Sequence, residues 1–185
     1  MIYHFMPFST NGNYAEELNK YIRLVPNDDD WICIYDIDTL RTRSTWGYDV
    51  EKMIEANKDF DLLTCLATRS GTHPQRLNNK IYPTRDMVVL HNVCENQYNK
   101  VKSFRATQVN FPVAGFFLCF RKSLWNEFSF NSTPKGILSV DRRWCLRLLE
   151  AGKRIGVCHK LVLIHYYRLH KHRKDISHLI NTKSE

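Results

Sequence analysis

A chain of 185 residues has the length of one domain and is long enough to bury a real core. With 43% hydrophobic and 25% charged residues it is neither disordered nor fibrous, and no apolar run nears the roughly 18 residues of a membrane span. The net charge of +8 asks for an anionic partner, without choosing among a nucleotide diphosphate, a nucleic acid and an acidic membrane surface.

The N-terminal residues 1–7 lack a basic n-region and are too short for a signal peptide. Residues 2–8 read as a first strand. Asn11-Gly12-Asn13 is a turn able to cap a helix, and Tyr14, Leu18, Tyr21, Ile22 and Val25 then recur at helical spacing. Pro26 ends that helix and Asp28 to Asp30 make a turn. Trp31-Ile32-Cys33-Ile34-Tyr35 is a continuous apolar run, as expected of a strand buried on both faces. It leads straight into Asp36-Ile37-Asp38.

Positions two apart on an extended segment point the same way, so both carboxylates are expected to face one spot at the carboxyl end of the strand. Ligands bind at that end in open α/β sheets. Two carboxylates on one spot repel unless a cation sits between them, and Mg2+ and Mn2+ take such oxygens and bridge to phosphates. The plainer reading is an acidic surface turn, although Asp28 to Asp30 already supply a polar turn before the strand.

Residues 39–48 read as loop, 49–58 as a short helix and 61–67 as the next strand. Strands alternating with helices predict an α/β fold. Residues 68–82 are polar and punctuated by Gly71 and Pro74, the best candidate for a mobile substrate loop. Residues 85–104 read as helix, 112–115 as a turn, 116–120 as a buried strand and 123–128 as a short helix. Ser139 can cap a helix carrying Val140, Trp144, Leu148 and Leu149 on one face, with Gly152 where a helix C-terminus wants glycine. Residues 154–158 and 161–164 read as two last strands. The tail, 169–185, is polar and basic. The six cysteines form no C-x-x-C; Cys33, Cys65, Cys119 and Cys158 lie within apolar runs and read as small buried hydrophobes, in keeping with a reducing cytoplasm.

Several of these features, in this order, resemble the GT-A glycosyltransferases, in particular the small family-2-like bacterial and phage members. They are Trp31 through Asp38, similar to that family's strand and D-x-D motif, then Trp46-Gly47-Tyr48, Thr64-Cys65 with Thr68-Arg69 and Gly71, Ala114-Gly115 before an apolar strand, Val140-Asp141 opening a helix that ends in Ala151-Gly152, and His165-Tyr166-Tyr167-Arg168 after an apolar strand. The resemblance covers most of residues 1–168 and leaves out the tail. It implies a single GT-A-like, Rossmann-like domain over 1–168, with a mostly parallel sheet flanked by helices and a shortened N-terminal nucleotide-binding region; the basic tail, 169–185, is expected to be mobile because it has almost no apolar residues with which to pack. It also implies an inverting transfer of a sugar from a UDP- or GDP-linked donor to a hydroxyl of a glycan or lipid-linked acceptor, assisted by Mn2+ or Mg2+. Asp38 would be the direct metal ligand, Asp36 would reach the ribose or the metal, His165 would be a further metal anchor, and Asp141 would be the catalytic base. Arg69, Gly115 and Arg168 would meet the nucleotide sugar. Relatives often carry a second acid after the one matching Asp141; here Arg142, Arg143 and Trp144 follow. A cytoplasmic location is expected, at the inner membrane face where the basic tail makes contact, and no nucleic-acid partner.

Read from the residues alone, Asp141 is equally an acid in the first turn of a helix, and His165 a surface histidine ahead of a basic tail. Arg69, Lys80 and Arg168 are the cations available to a diphosphate. Trp46 and Tyr48 can stack on a base or sugar or pack in the core, and His91 is a plain helix residue. Two other functions fit parts of the sequence: an inactive sugar-nucleotide binder, and a basic module for nucleic acid or anionic membrane. The latter leaves the D-x-D unexplained.

Overall fold

The WICIY run is buried at all five positions because apolar layers cover both of its faces. The computed structural model describes residues 1–9, 13–78, 84–131 and 140–166. Among them, strands β1 (Ile2–Phe5), β2 (Trp31–Tyr35), β3 (Thr39–Arg41), β4 (Leu62–Ala67), β5 (Thr107–Val109), β6 (Phe117–Arg121) and β7 (Ile155–His165) form one open sheet. Helices α1 (Tyr14–Arg23), α2 (Trp46–Ala56), α3 (Met87–Lys100), α4 (Lys122–Glu127) and α5 (Val140–Glu150) flank it. The order is β1-β2-β6-β4-β7, with β3 and β5 both paired to β7.

The α/β expectation holds, but the sheet is mixed rather than mostly parallel. β1·β2 and β4·β7 are parallel; β2·β6, β4·β6, β3·β7 and β5·β7 are antiparallel. Strand β6 runs against both its neighbours, and its apolar run from Phe117 to Phe120 does not signal a direction. Strands β2, β4 and β7 remain mutually parallel. Their carboxyl ends, and the amino end of β6, therefore come to one rim of the sheet.

One apolar layer holds Ala15, Leu18 and Ile22 of α1 and Val140, Trp144 and Leu148 of α5 against Ile32, Ile34, Phe120 and Ile164. The other holds Trp46, Val50 and Met53 of α2 against Cys33, Tyr35, Cys119 and Leu163. Local signals fix the helix ends. Asn13 Oδ1 accepts from the Glu16 N–H, as a capping turn should, and Asp86 Oδ1 accepts from the N–H groups of Val88 and Val89. Gly152 has φ +72°, the left-handed conformation at the end of α5.

Three expectations change in detail. Residues 39–48 are not all loop: Thr39–Arg41 is a strand, and α2 begins at Trp46. The two last strands are one, β7, whose register with β4 jumps from Cys65↔Cys158 to Leu66↔Val162. The residues between those partners on β7 carry Lys160, whose ammonium donates to the Tyr98 and Val101 carbonyls at the end of α3. The stretch after β4 is firmly held at its start, since Thr68, Arg69, Ser70 and Gln75 are buried. All six cysteines are free and buried. Among the described residues no helix is long and apolar enough to cross a membrane.

Candidate metal centre

Asp36 follows β2 directly, and its N–H extends the ladder to β6 by donating to the Phe116 carbonyl (3.1 Å). The chain then turns: the N–H and hydroxyl of Thr39 both donate to the Asp36 carbonyl, at 3.2 and 2.7 Å. This turn starts β3 and sets Asp38 beside the end of β7, where the Tyr166 N–H donates to the Asp38 carbonyl (3.0 Å). Thr39 pairs with His165 in register. Strand β2, not a neighbour of β7, thus delivers Asp36, while β3, paired with β7, sets Asp38 beside His165.

His165 Nε2 lies 3.2 Å from Asp38 Oδ1 and 3.8 Å from Asp36 Oδ2. One ligand atom from each of the three residues lies within 4.8 Å of the other two, and no other such group of three occurs among the described residues. The imidazole is fixed from behind. Its Nδ1 contacts the Arg69 carbonyl at 2.9 Å, its backbone N–H donates to Thr68 Oγ1 at 3.2 Å, and its ring lies 5.1 Å from that of Phe116. A carbonyl only accepts, so Nδ1 carries the proton and Nε2 is the atom turned to the carboxylates. An imidazole whose Nδ1–H is held by a backbone carbonyl, with Nε2 left for a cation, is the common arrangement of a metal-ligating histidine. The three side chains could hold a metal ion; the carboxylates suit Mg2+ or Mn2+, and the imidazole suits the later transition ions.

Burial pushes the Asp36 carboxyl up to about 6; His165 pulls against this, and the charges of Asp38 and Asp141 add to it. Burial acts on Asp38 in the same sense, but the hydrogen bond and charge of His165 outweigh it and hold that carboxyl below its ordinary range. Tyr14, the first residue of α1, donates its hydroxyl to Asp36 Oδ1 at 3.4 Å. Burial and the charges of Asp36, Asp141 and Asp38 raise the Tyr14 phenol well above its ordinary value.

Asp141 stands across the rim, in the first turn of α5. Its Oδ2 accepts from the Gly115 N–H at 2.7 Å and its Oδ1 from the Arg142 N–H at 2.8 Å. Gly115 is glycine for reasons of space, since a Cβ there would meet Asp141 Cβ at 2.8 Å. A buried relay holds this turn: the Thr64 hydroxyl donates to the Phe117 carbonyl and accepts from Gln75 Nε2, while Gln75 Oε1 accepts from the Ala114 N–H.

The structure therefore brings together Asp36, Asp38, His165, Asp141 and Gly115. Arg69 is at the same rim but 1% exposed; its guanidinium donates to the Thr84 carbonyl, and its own carbonyl orients His165. Arg168, Lys80, Ser139 and the basic tail lie outside the described residues. Trp46 is a core residue whose indole N–H donates to the Tyr35 hydroxyl, whereas Tyr48 is exposed. Sequence reasoning missed Tyr14, which it took for part of an apolar helix stripe, and the relay through Thr64 and Gln75; no sequence signal marks either. The chain matches no family model and no curated protein.

Proposed function

We propose that the chain is a metal-dependent glycosyltransferase of the GT-A type, moving a sugar from a nucleotide-diphosphate donor to an acceptor hydroxyl. The observation that carries this reading is the convergence of Asp36, Asp38 and His165 at the carboxyl ends of parallel strands, with a further carboxylate, Asp141, across the rim. Asp36, Asp38 and His165 would hold Mn2+ or Mg2+, which when bound stabilises the charge on the departing diphosphate as a Lewis acid. The acceptor oxygen attacks the anomeric carbon, the bond from that carbon to the phosphate oxygen breaks, and its electron pair leaves with the nucleotide diphosphate. The acceptor proton passes to Asp141, a contribution of typically about 10²–10⁴-fold for a positioned base. Thr68, Arg69 and Phe116 keep the His165 ring from turning. The acceptor class we favour is a glycan or a lipid-linked hydroxyl.

A second reading, a nucleotide-sugar binder without transferase activity, draws support from Asp141, both of whose oxygens already accept backbone N–H groups. A basic nucleic-acid module fits less well, because three carboxylates at one rim repel phosphates unless a cation intervenes.

Thermal unfolding with a panel of nucleotide diphosphates, UDP- or GDP-sugars and nucleic acid, with and without Mn2+, tests the proposal. A nucleotide response that needs metal supports it, and release of sugar on the same panel separates the enzyme from the binder. A response to nucleic acid alone would refute both.

A further inference from the structure

We propose that Tyr14 is a positioning residue that occupies one oxygen of Asp36, so that Asp36 offers only a single oxygen to a cation at the Asp36–Asp38–His165 cluster. This rests on the metal reading above and refines it. The two oxygens of Asp36 look in different directions. Oδ1 accepts from the Tyr14 hydroxyl at 3.4 Å, while Oδ2 faces His165 Nε2 at 3.8 Å, the same nitrogen that lies 3.2 Å from Asp38 Oδ1.

The placement of Tyr14 is built into the fold. Asn13 caps α1, and Ala15, Leu18 and Ile22 seat the helix on the sheet, which brings its first residue over the rim with the ring against the apolar layer. The turn that Thr39 makes onto the Asp36 carbonyl fixes the aspartate backbone from the other side. With the backbone fixed and Oδ1 within reach of the Tyr14 hydroxyl, turning both oxygens toward one cation competes with that hydrogen bond.

This has a consequence for ion choice. Ca2+ takes six to eight oxygens and readily binds a carboxylate through both, whereas Mg2+ is smaller, demands near-octahedral geometry and suits single-oxygen carboxylate ligands; Mn2+ sits with it in octahedral oxygen sites. A tethered Asp36 therefore biases the cluster toward the smaller ions. Partners that orient a metal ligand are typically worth about 10–100-fold in metal affinity.

The test is calorimetric titration of Mn2+ and of Ca2+ alone into the wild-type chain and into Tyr14→Phe, which removes the hydroxyl and keeps the ring. We expect Tyr14→Phe to bind Mn2+ about tenfold more weakly and Ca2+ as well or better, so that the Mn2+/Ca2+ preference falls by about tenfold or more. Both affinities come from the same sample, so any loss of folded protein cancels in their ratio. A ratio unchanged to within about twofold, or less than about 0.4 kcal/mol, with wild-type binding intact, overturns this inference and leaves the metal reading standing. Wild-type protein that binds neither ion overturns both.

Discussion

Replacing Asp36 by Asn should stabilise the metal-free protein, and by an amount that depends on pH. The Asp36 carboxyl is pushed up to about 6 from an ordinary value of 3.8, first by burial and then by Asp38 and Asp141 against the pull of His165. About two pH units at about 1.36 kcal/mol each correspond to about 3 kcal/mol against the charged form. The Asp36 side chain is 35% exposed, so water screens part of this, and about 1–2 kcal/mol is the expected penalty. For an acid with a raised folded pKa the sign is clear: the penalty is fully present above about pH 6 and gone below about pH 4, where both states bind the proton. Asn cannot ionise, yet its Oδ1 can still accept from Tyr14. In chelator, Asp36→Asn should therefore melt higher than wild type by about 2–8 °C above about pH 7, for a chain of this size. That advantage should shrink toward zero at about pH 4. Added Mn2+ should reverse the order, because only the wild type gains binding energy, about 2.7 kcal/mol at a hundredfold excess over the dissociation constant. Thermal unfolding across pH, with chelator or Mn2+, reads all three effects. An Asp36→Asn protein that is less stable at neutral pH, or more stable by the same margin at every pH, would refute the reasoning.

Asp141→Asn should keep metal-dependent nucleotide affinity and lose transfer by about 10²–10⁴-fold; transfer at the wild-type rate would make Asp141 a helix-start anchor and nothing more. Gly115→Ala pushes a methyl group into Asp141 and should lower stability by about 1–3 kcal/mol while disturbing the same carboxylate; urea unfolding with unchanged midpoint would show that the turn has room to relax. Gly156→Ala drives a Cβ to 2.8 Å from Phe60 Cδ1 and 2.9 Å from Ala106 Cβ, far from the rim. It should cost a similar about 1–3 kcal/mol and leave Mn2+ affinity unchanged in calorimetry. Burial lowers His4, with the charge of Arg41 adding to it, and burial alone lowers His159. The stability these groups lend is therefore present above about pH 6.5 and falls as pH drops through their folded values. Replacing both by Gln should flatten the slope of stability against pH below about 6.5, and an unchanged slope would assign it to other groups.

The central strand and its acidic end were legible because five apolar residues followed by two carboxylates one residue apart admit few readings. His165 was legible from its place directly after an apolar run. Strand direction was not, since Phe117 to Phe120 carry no polarity along the chain that distinguishes parallel from antiparallel pairing. Nor was β3, a three-residue strand whose Arg41 and Leu40 are exposed and whose existence depends on pairing with β7. Arg69 looked like a cation for a diphosphate, and only the tertiary fold reveals that it is buried and orients His165 through its carbonyl. Tyr14 shares its helical spacing with Leu18 and Ile22, but it sits at the end of the stripe, where the sheet stops and the rim begins.

The register jump in β7 separates that strand into two independently indexed halves. In a regular strand, gaining or losing one residue ahead of His165 would turn the imidazole to the opposite face. Here the residues between Cys158 and Val162 can absorb such a change, because the half that carries His165 is pinned by its own partners, Thr39 and Thr68. Length variation among relatives of this chain should consequently collect at that point, whereas the segment from Val162 to His165 should keep a fixed number of residues.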